Sequence, residues 1–349
     1  MRRLPIYFLI DVSESMVGEP IRQVEEGLNT VIDTLKTDPN ALDTAWISVL
    51  VFAGKAKTLV PLQELVNFYP PRFPIGGGTA LGAGLKHLSE ELHRNVVKTT
   101  FERKGDWKPL VFLFTDGVPT EDMDEAMGEW NAQWKGKAHL VAISIGEDAD
   151  LFALSKLTDD VLLFKNTDAA AYKSFFKWIT DSIKKNSESV SNNSTGFDLA
   201  KPTDDSLSKI DLKKHPTGGG NIDPNFVVFT AKCAQSKRPY LIKYQKQVKP
   251  SLLSGLNLTT LSYNLAGAYA IDESYFNLSG KGTAIRINSG ELTGAPPCPC
   301  CGNDIGFAMC RCGKVHCIGE ATTQTCPWCG NEGQYGMGDG GFDVGRAVG

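Results

Sequence analysis

The sequence predicts an α/β fold: a doubly wound, mostly parallel sheet, followed by a small β-rich unit. Three observations carry that expectation. Through the first half, short and nearly continuous apolar runs alternate with longer stretches of helical period. From about residue 187 the composition turns to Ser, Asn, Lys and Gly. Beyond it come short β-like runs and eight of the nine cysteines, crowded between Cys298 and Cys329.

In the first domain, residues 1–186, the expected strands are Ile6–Ile10, Trp46–Phe52, Leu110–Thr115, His139–Ile145 and Val161–Phe164. They lack polar alternation, as strands covered by helices on both faces do. The first helix is marked by Ile21, Val24, Leu28, Val31, Ile32 and Leu35 at helical spacing, with Pro20 near its start. Leu81, Leu85, Leu88 and Leu92 stripe a second. Asp168 is an expected N-cap for the last, whose buried face is Tyr172, Phe175, Phe176, Ile179 and Ile183. Residues 187–225, with SESVSNNSTG and three successive glycines, read as a loosely structured linker. Residues 226–332 form the β-rich domain, with FVVFTAK, PYLIKY, LAGAYAI and AIRI as strand candidates. Residues 333–349 read as a flexible Gly-rich tail.

The length of 349 residues allows two or three domains, and 42% apolar with 22% charged residues is a folding composition. A net charge of −4 without a long basic run weighs against general nucleic-acid binding. No apolar stretch reaches the length of a membrane helix, and Met1-Arg2-Arg3 is not followed by a cleavage site. The expectation is a cytoplasmic protein without a membrane partner.

The chemistry begins where the first strand ends. Asp11, Ser13 and Ser15 in DVSES place a carboxylate and two hydroxyls on alternate residues beyond an apolar run. Thr79 ends the Gly76-Gly77-Gly78-Thr79 loop before the second helix, and Asp116 follows the strand Leu110–Thr115. In a doubly wound sheet these loops share the carboxyl edge of the strands, where ligands bind. Five oxygen-bearing side chains suit a hard divalent ion, Mg²⁺ or alternatively Mn²⁺ or Ca²⁺. Neutral hydroxyl ligands would leave that ion able to take a carboxylate from outside. DVSES could instead be only a polar loop capping the helix at Pro20, but Thr79 and Asp116 would then be coincidences. The glycines before Thr79 suggest a phosphate loop, yet no Gly-Lys-Ser/Thr follows. Glu14 and Glu121 read as solvated residues at the rim.

DVSES, the Thr79 loop and Asp116 in TDG resemble the metal-ion-dependent adhesion site (MIDAS) of von Willebrand factor A (VWA) domains, over residues 1–186. The resemblance implies a VWA, Rossmann-like sheet with Ser13, Ser15 and Thr79 as hydroxyl ligands. Asp11 and Asp116 would bind the ion directly or through water. It also implies protein–protein binding, often through an acidic residue of the partner.

The knuckles Cys298-Pro299-Cys300-Cys301-Gly302 and Cys326-Pro327-Trp328-Cys329-Gly330 are a zinc signal. Between them lie Cys310, Cys312, His316 and Cys317. One Zn²⁺ could use the four knuckle thiols, or two could share eight ligands, paired sequentially or interleaved; the count favours two. The expected ligands are Cys298, Cys301, Cys310, Cys312, Cys317, Cys326 and Cys329, with His316 as a further candidate. Cys300 reads as a bystander and Cys233 as an isolated buried thiol. All-thiolate zinc is closed and structural, so catalysis there is not expected. An N-terminal VWA domain, a β segment and a CxxCG…CPWCG end together resemble the TerY family, named for tellurite resistance, with its TerY-C metal-binding region. That resemblance implies a bacterial stress-response role, in some members beside a protein kinase and a PP2C-type phosphatase.

The leading expectation is an adaptor and not an enzyme: no nucleophile–base pair stands out. The alternative is a zinc-ribbon nucleic-acid module, using Lys232, Lys237, Arg238, Lys243, Lys246 and Lys249 with Tyr240 and Tyr244 interleaved.

Overall fold

The fold is described from a computed structural model, over residues 2–102, 104–145, 150–164, 169–191, 199–200, 207–209, 225–250, 259–280, 286–321, 323–336 and 341–347. The expected cap Asp168 lies outside them. The chain divides into two compact units: Met1–Val12 with Glu19–Phe73 and Thr79–Asn221, and Ser13–Gly18 with Pro74–Gly78 and Ile222–Gly349.

The first unit holds a seven-stranded sheet. In chain order its strands are β1 (Leu4–Asp11), β2 (Ala45–Phe52), β3 (Ala56–Glu64), β4 (Leu110–Thr115), β5 (His139–Ile145), β6 (Val161–Phe164) and β7 (Leu207–Lys209). In space they run β3-β2-β1-β4-β5-β6-β7. β1 is parallel to β2 and β4, and β5 and β6 continue the parallel set. Only the edge strands β3 and β7 are antiparallel. Every residue of β1 is buried, which is why its sequence shows no alternation.

The helices are α1 (Glu19–Leu35), α2 (Pro39–Thr44), α3 (Leu81–Asn95), α4 (Asp124–Gln133), α5 (Leu151–Leu157) and α6 (Ala169–Ser191). Tyr7, Leu9, Val111 and Leu113 of the sheet pack with the leucines of α3, with Met127 and Trp130 of α4 and with Leu154 of α5. Phe114 on β4 meets Phe175 and Phe176 of α6. α1 lies so close to α6 that a Cβ on Gly27 would stand 1.9 Å from the Phe176 ring. Chain order reverses between β1 and β4. Their carboxyl ends therefore flank the switch point where sheets of this kind bind ligands.

Two sequence expectations need correction in this unit. β3 was missed, because half-exposed residues such as Thr58 and Gln63 dilute its pattern. The expected linker 187–225 is not loose throughout. It begins inside α6, whose Ser187 is fully buried, and it supplies β7 to the sheet edge.

The second unit is built on a six-stranded sheet, β12-β10-β9-β8-β14-β13. Its strands are β8 (Phe226–Lys232), β9 (Pro239–Pro250), β10 (Thr259–Ala270), β12 (Leu292–Thr293), β13 (Ile305–Met309) and β14 (Val315–Ile318). Beside it lie the short helix α7 (Ser274–Leu278), the pair β11 (Arg286–Asn288) with β17 (Asp343–Gly345), and the hairpin β15 (Thr323–Thr325) to β16 (Glu332–Gln334). Val227, Phe229, Tyr240, Ile242 and Tyr244 form its core. The expected flexible tail 333–349 is in part structural. β17 pairs with β11, Val344 is fully buried, and the Ala347 N–H donates to the Val228 carbonyl at 2.7 Å. Val344 supplies the apolar anchor that the glycine-rich composition hides.

Candidate metal centres

β1 delivers Asp11 and β4 delivers Asp116 at neighbouring positions of the carboxyl edge, since Ile10 pairs with Phe114. Both are buried, as are Ser13, Ser15 and Thr79. A buried carboxylate needs compensation. Asp11 Oδ2 accepts the Thr115 hydroxyl at 2.6 Å. The Thr115 oxygen in turn accepts the Gly117 N–H at 3.3 Å. Thr79 is tied to the same loop twice. Its N–H donates to the Thr120 hydroxyl at 3.0 Å, and the Thr120 N–H donates to the Thr79 carbonyl at 3.0 Å. Thr115 and Thr120 are supporting residues that the sequence reading missed, although Thr115 directly precedes Asp116 and Thr120 follows it by four residues.

The Ser13 and Ser15 hydroxyls are 2.9 Å apart. Two adjacent ligands of an octahedral Mg²⁺ with bonds of about 2.1 Å stand roughly 3.0 Å apart, so the pair fits such an ion. Glu14 is not the solvated rim residue expected. It is fully buried, and its carboxylate accepts the Tyr275 hydroxyl and, at 3.3 Å, the Gly78 N–H. Glu121 is half-buried and accepts the Ala83 N–H at 2.8 Å, which caps the first turn of α3.

The cysteines of the second unit form two four-thiol groups. One is Cys233, Cys298, Cys301 and Cys317; the other is Cys310, Cys312, Cys326 and Cys329. In each, the sulfurs all lie within 4.8 Å of one another. Cys301 and Cys317 are 3.8 Å apart, Cys310 and Cys329 3.8 Å, and Cys312 and Cys326 3.9 Å. Zinc–sulfur bonds of about 2.3 Å set tetrahedron edges of roughly 3.8 Å, so both groups have the dimensions of a Zn²⁺ site. The two knuckles share one turn. The Gly302 N–H returns to the Cys298 carbonyl and the Gly330 N–H to the Cys326 carbonyl, each at 2.9 Å. Both glycines take positive φ, 77° and 76°, which a side chain would strain.

The two knuckles serve different groups, and the ligand order along the chain is interleaved. Cys233, expected to be isolated, is a member of the first group. β8 runs parallel to β14 with Lys232 opposite His316, so the next residues, Cys233 and Cys317, fall side by side. Its strand partner lies too far along the chain for spacing to reveal. His316, a further ligand candidate, belongs to neither group. Its Nδ1 bonds the Cys317 carbonyl at 2.9 Å and its Nε2 the Tyr335 hydroxyl at 2.8 Å, and burial lowers its pKa. Cys300 also stands outside both groups.

One thiol in each group, Cys233 and Cys310, ionises more readily than an ordinary cysteine. Burial opposes ionisation of Cys233, but hydrogen bonds from Ser236, from Cys301 and from the Gln235 backbone together outweigh it and bring the thiol to about 6. For Cys310, burial is outweighed by the Cys312 backbone and neighbouring thiols, giving about 7. Burial pushes Cys312 up to about 12 and raises Cys317 as well.

The basic stretch is not a stacking face. Tyr240 and Tyr244 are fully buried, with hydroxyls donated to the Gly306 and Gly294 carbonyls. Lys243 is buried as well, over the Phe226 ring.

The family model for the von Willebrand factor type A domain matches residues 6–178, the stretch that builds the parallel sheet with Asp11 and Asp116 at the carboxyl ends of neighbouring strands. The TerY-C metal binding domain model matches residues 223–349. The chain is thus a member of the VWA-domain proteins that carry a TerY-C metal-binding domain. Among curated proteins, inter-alpha-trypsin inhibitor heavy chain H1 of Bos taurus is 26% identical over 156 residues, 42% of this chain and 16% of that protein. An uncharacterised protein of Synechocystis sp. is 31% identical over 123 residues, 33% of this chain and 26% of that one. The chain therefore spans well under half the length of these relatives. Among solved structures, a von Willebrand factor type A protein from Catenulispora acidiphila aligns with TM-score 0.40 and 19% identity, over 52% of this chain and 43% of that one. Proximal thread matrix protein 1 of the mussel byssus, with a zinc-occupied MIDAS motif, aligns with TM-score 0.38 and 21% identity, over 53% and 46%. No helix among the described residues is long and apolar enough to cross a membrane.

Proposed function

We propose that this protein is a cytoplasmic adaptor that captures an acidic side chain of a protein partner through a divalent ion. Asp11, Ser13, Ser15, Thr79 and Asp116 would hold that ion, Mg²⁺ in the first instance and Mn²⁺ or Ca²⁺ as alternatives. The ion would supply an electron-poor centre that a partner carboxylate completes. The observation that carries the reading is the hydroxyl pair of Ser13 and Ser15, 2.9 Å apart and buried directly beyond Asp11. The two thiol groups would each hold Zn²⁺ and brace the second unit, leaving no open position for chemistry. The TerY resemblance suggests a bacterial stress-response system, with a protein kinase and a PP2C-type phosphatase as candidate partners. The nucleic-acid alternative has less support now that its two tyrosines belong to the core. The test is capture of partners from the native host by full-length, zinc-loaded protein in Mg²⁺. Asp11→Ala and Thr79→Ala should abolish capture with zinc content unchanged. Capture that survives both substitutions and Mg²⁺ removal would refute the reading.

A further inference from the structure

We propose that Glu14 and Tyr275 are positioning residues for the divalent ion, fixing the loop that carries Ser13 and Ser15 against the loop that ends at Thr79. The inference rests on the reading of the oxygen cluster as an ion site. Glu14 stands between the two serines in the sequence, and its side chain has no exposed surface. A carboxylate is buried at a large cost unless donors meet it. Two donors do. The Tyr275 hydroxyl bonds Oε1, and the N–H of Gly78, the residue before Thr79, bonds Oε2 at 3.3 Å. One carboxylate thus ties both hydroxyl-bearing loops to a single point.

Tyr275 is itself held. It lies on α7, its hydroxyl is 3.1 Å from the Thr230 hydroxyl of β8, and its ring packs with Val17, Val228, Leu241 and Ile271. The glycine loop closes onto the same helix. The Gly77 N–H donates to the Ser279 hydroxyl at 2.9 Å, and the Gly280 N–H donates to the Gly77 carbonyl at 3.0 Å. A side chain at position 77 would press on the same cluster. A Cβ there would stand 2.9 Å from Ser279 Oγ, 3.0 Å from Tyr275 Oη and 3.1 Å from Glu14 Oε1. A third anchor is Lys243 of β9, whose ammonium donates to the Ser15 carbonyl. All these groups belong to one compact unit.

The consequence concerns affinity. Hydroxyls are weak ligands, and they hold a hard ion well only when their spacing is fixed in advance. Here the spacing is fixed by α7, β8 and β9, and β8 leads directly into Cys233 of the first thiol group. The loop that carries Ser13 and Ser15 is therefore held by residues far down the chain, within the same unit.

The experiment uses full-length, zinc-loaded protein with Mn²⁺ as the probe, titrated by electron paramagnetic resonance. Tyr275→Phe removes one hydroxyl. It should raise the Mn²⁺ Kd about tenfold while zinc content and melting temperature stay near wild type. Lys243→Met should act in the same direction and decides the matter if Tyr275→Phe loses zinc. Mn²⁺ affinity within about twofold of wild type in zinc-replete variants would overturn the inference and leave the ion site standing. Absence of Mn²⁺ binding by the wild type would refute the ion reading itself.

Discussion

The oxygen site and the thiol groups hold their donors together by opposite means. At the carboxyl edge of the parallel sheet, Asp11 and Asp116 are placed by strand register before any ion arrives, and Thr115 already satisfies Asp11. In the second unit, eight thiols lie in two clusters brought together by the β8–β14 pair, the β13–β14 and β15–β16 hairpins and the turns between them. The first arrangement lets an ion join a finished fold. The second makes the ion part of the fold. On the proposed reading, the difference separates a metal whose binding energy would go toward a partner from one whose binding energy would go toward chain stability.

The largest effect that tests this contrast is zinc removal. Structural zinc contributes on the order of 10 kcal/mol of apparent folding free energy. A zinc chelator should abolish the cooperative melting of residues 226–347 and leave the parallel sheet folded, as read by hydrogen exchange. Cys233→Ser should lower zinc from two per chain to one, whereas Cys300→Ser should leave two. Because burial raises Cys312 to about 12 and Cys317 also upward, those thiols are protonated at neutral pH. Zinc loading should therefore release protons, and zinc affinity should fall as pH is lowered, both readable with a metal-buffered indicator.

Next in size is Asp11→Asn. It should weaken Mn²⁺ binding by about a hundredfold, the upper end of what removing a partner in a metal site costs. Zinc content should not change. Equal loss of both metals would erase the distinction drawn above.

Much of the first unit was legible because its signals are local. The apolar runs of β1 and β4 and the leucines of α3 each announce themselves within about fifteen residues, and the motif residues lie at the ends of those elements. What escaped depends on pairing across distance. β3 is an edge strand with a half-exposed face. Glu14 looked like a rim residue because Tyr275, which buries it, is remote in sequence. Cys233 looked isolated for the same reason, since only the β8–β14 register brings it to Cys317. His316 carried the right chemistry for a ligand, and Tyr335, far along the chain, takes its Nε2.

Two smaller effects sharpen the comparison from the first unit's side. Gly27→Ala places a methyl 1.9 Å from the Phe176 ring. Overpacking of this kind costs about 1–3 kcal/mol, and a denaturant titration should show it in the sheet domain alone. His139, at the start of β5, is held neutral by burial, with a pKa lowered from 6.5 to about 4. The unfolded chain takes up this proton first as pH falls. The stability it contributes is complete above about pH 6.5 and is lost as pH drops toward 4. Partial exposure limits the effect to about 1 kcal/mol, and His139→Gln should flatten that slope in melts between those pH values.

The interleaved thiol order also bears on how the protein is made. As the chain leaves the ribosome, Cys298, Cys301, Cys310 and Cys312 emerge before Cys317, so a complete but wrong set of four thiols exists first. Zinc captured then would bridge the two native clusters and would have to be surrendered when Cys326 and Cys329 appear. Cys233 is made before all of them, so three thiols of the first group, Cys233, Cys298 and Cys301, are present before Cys310.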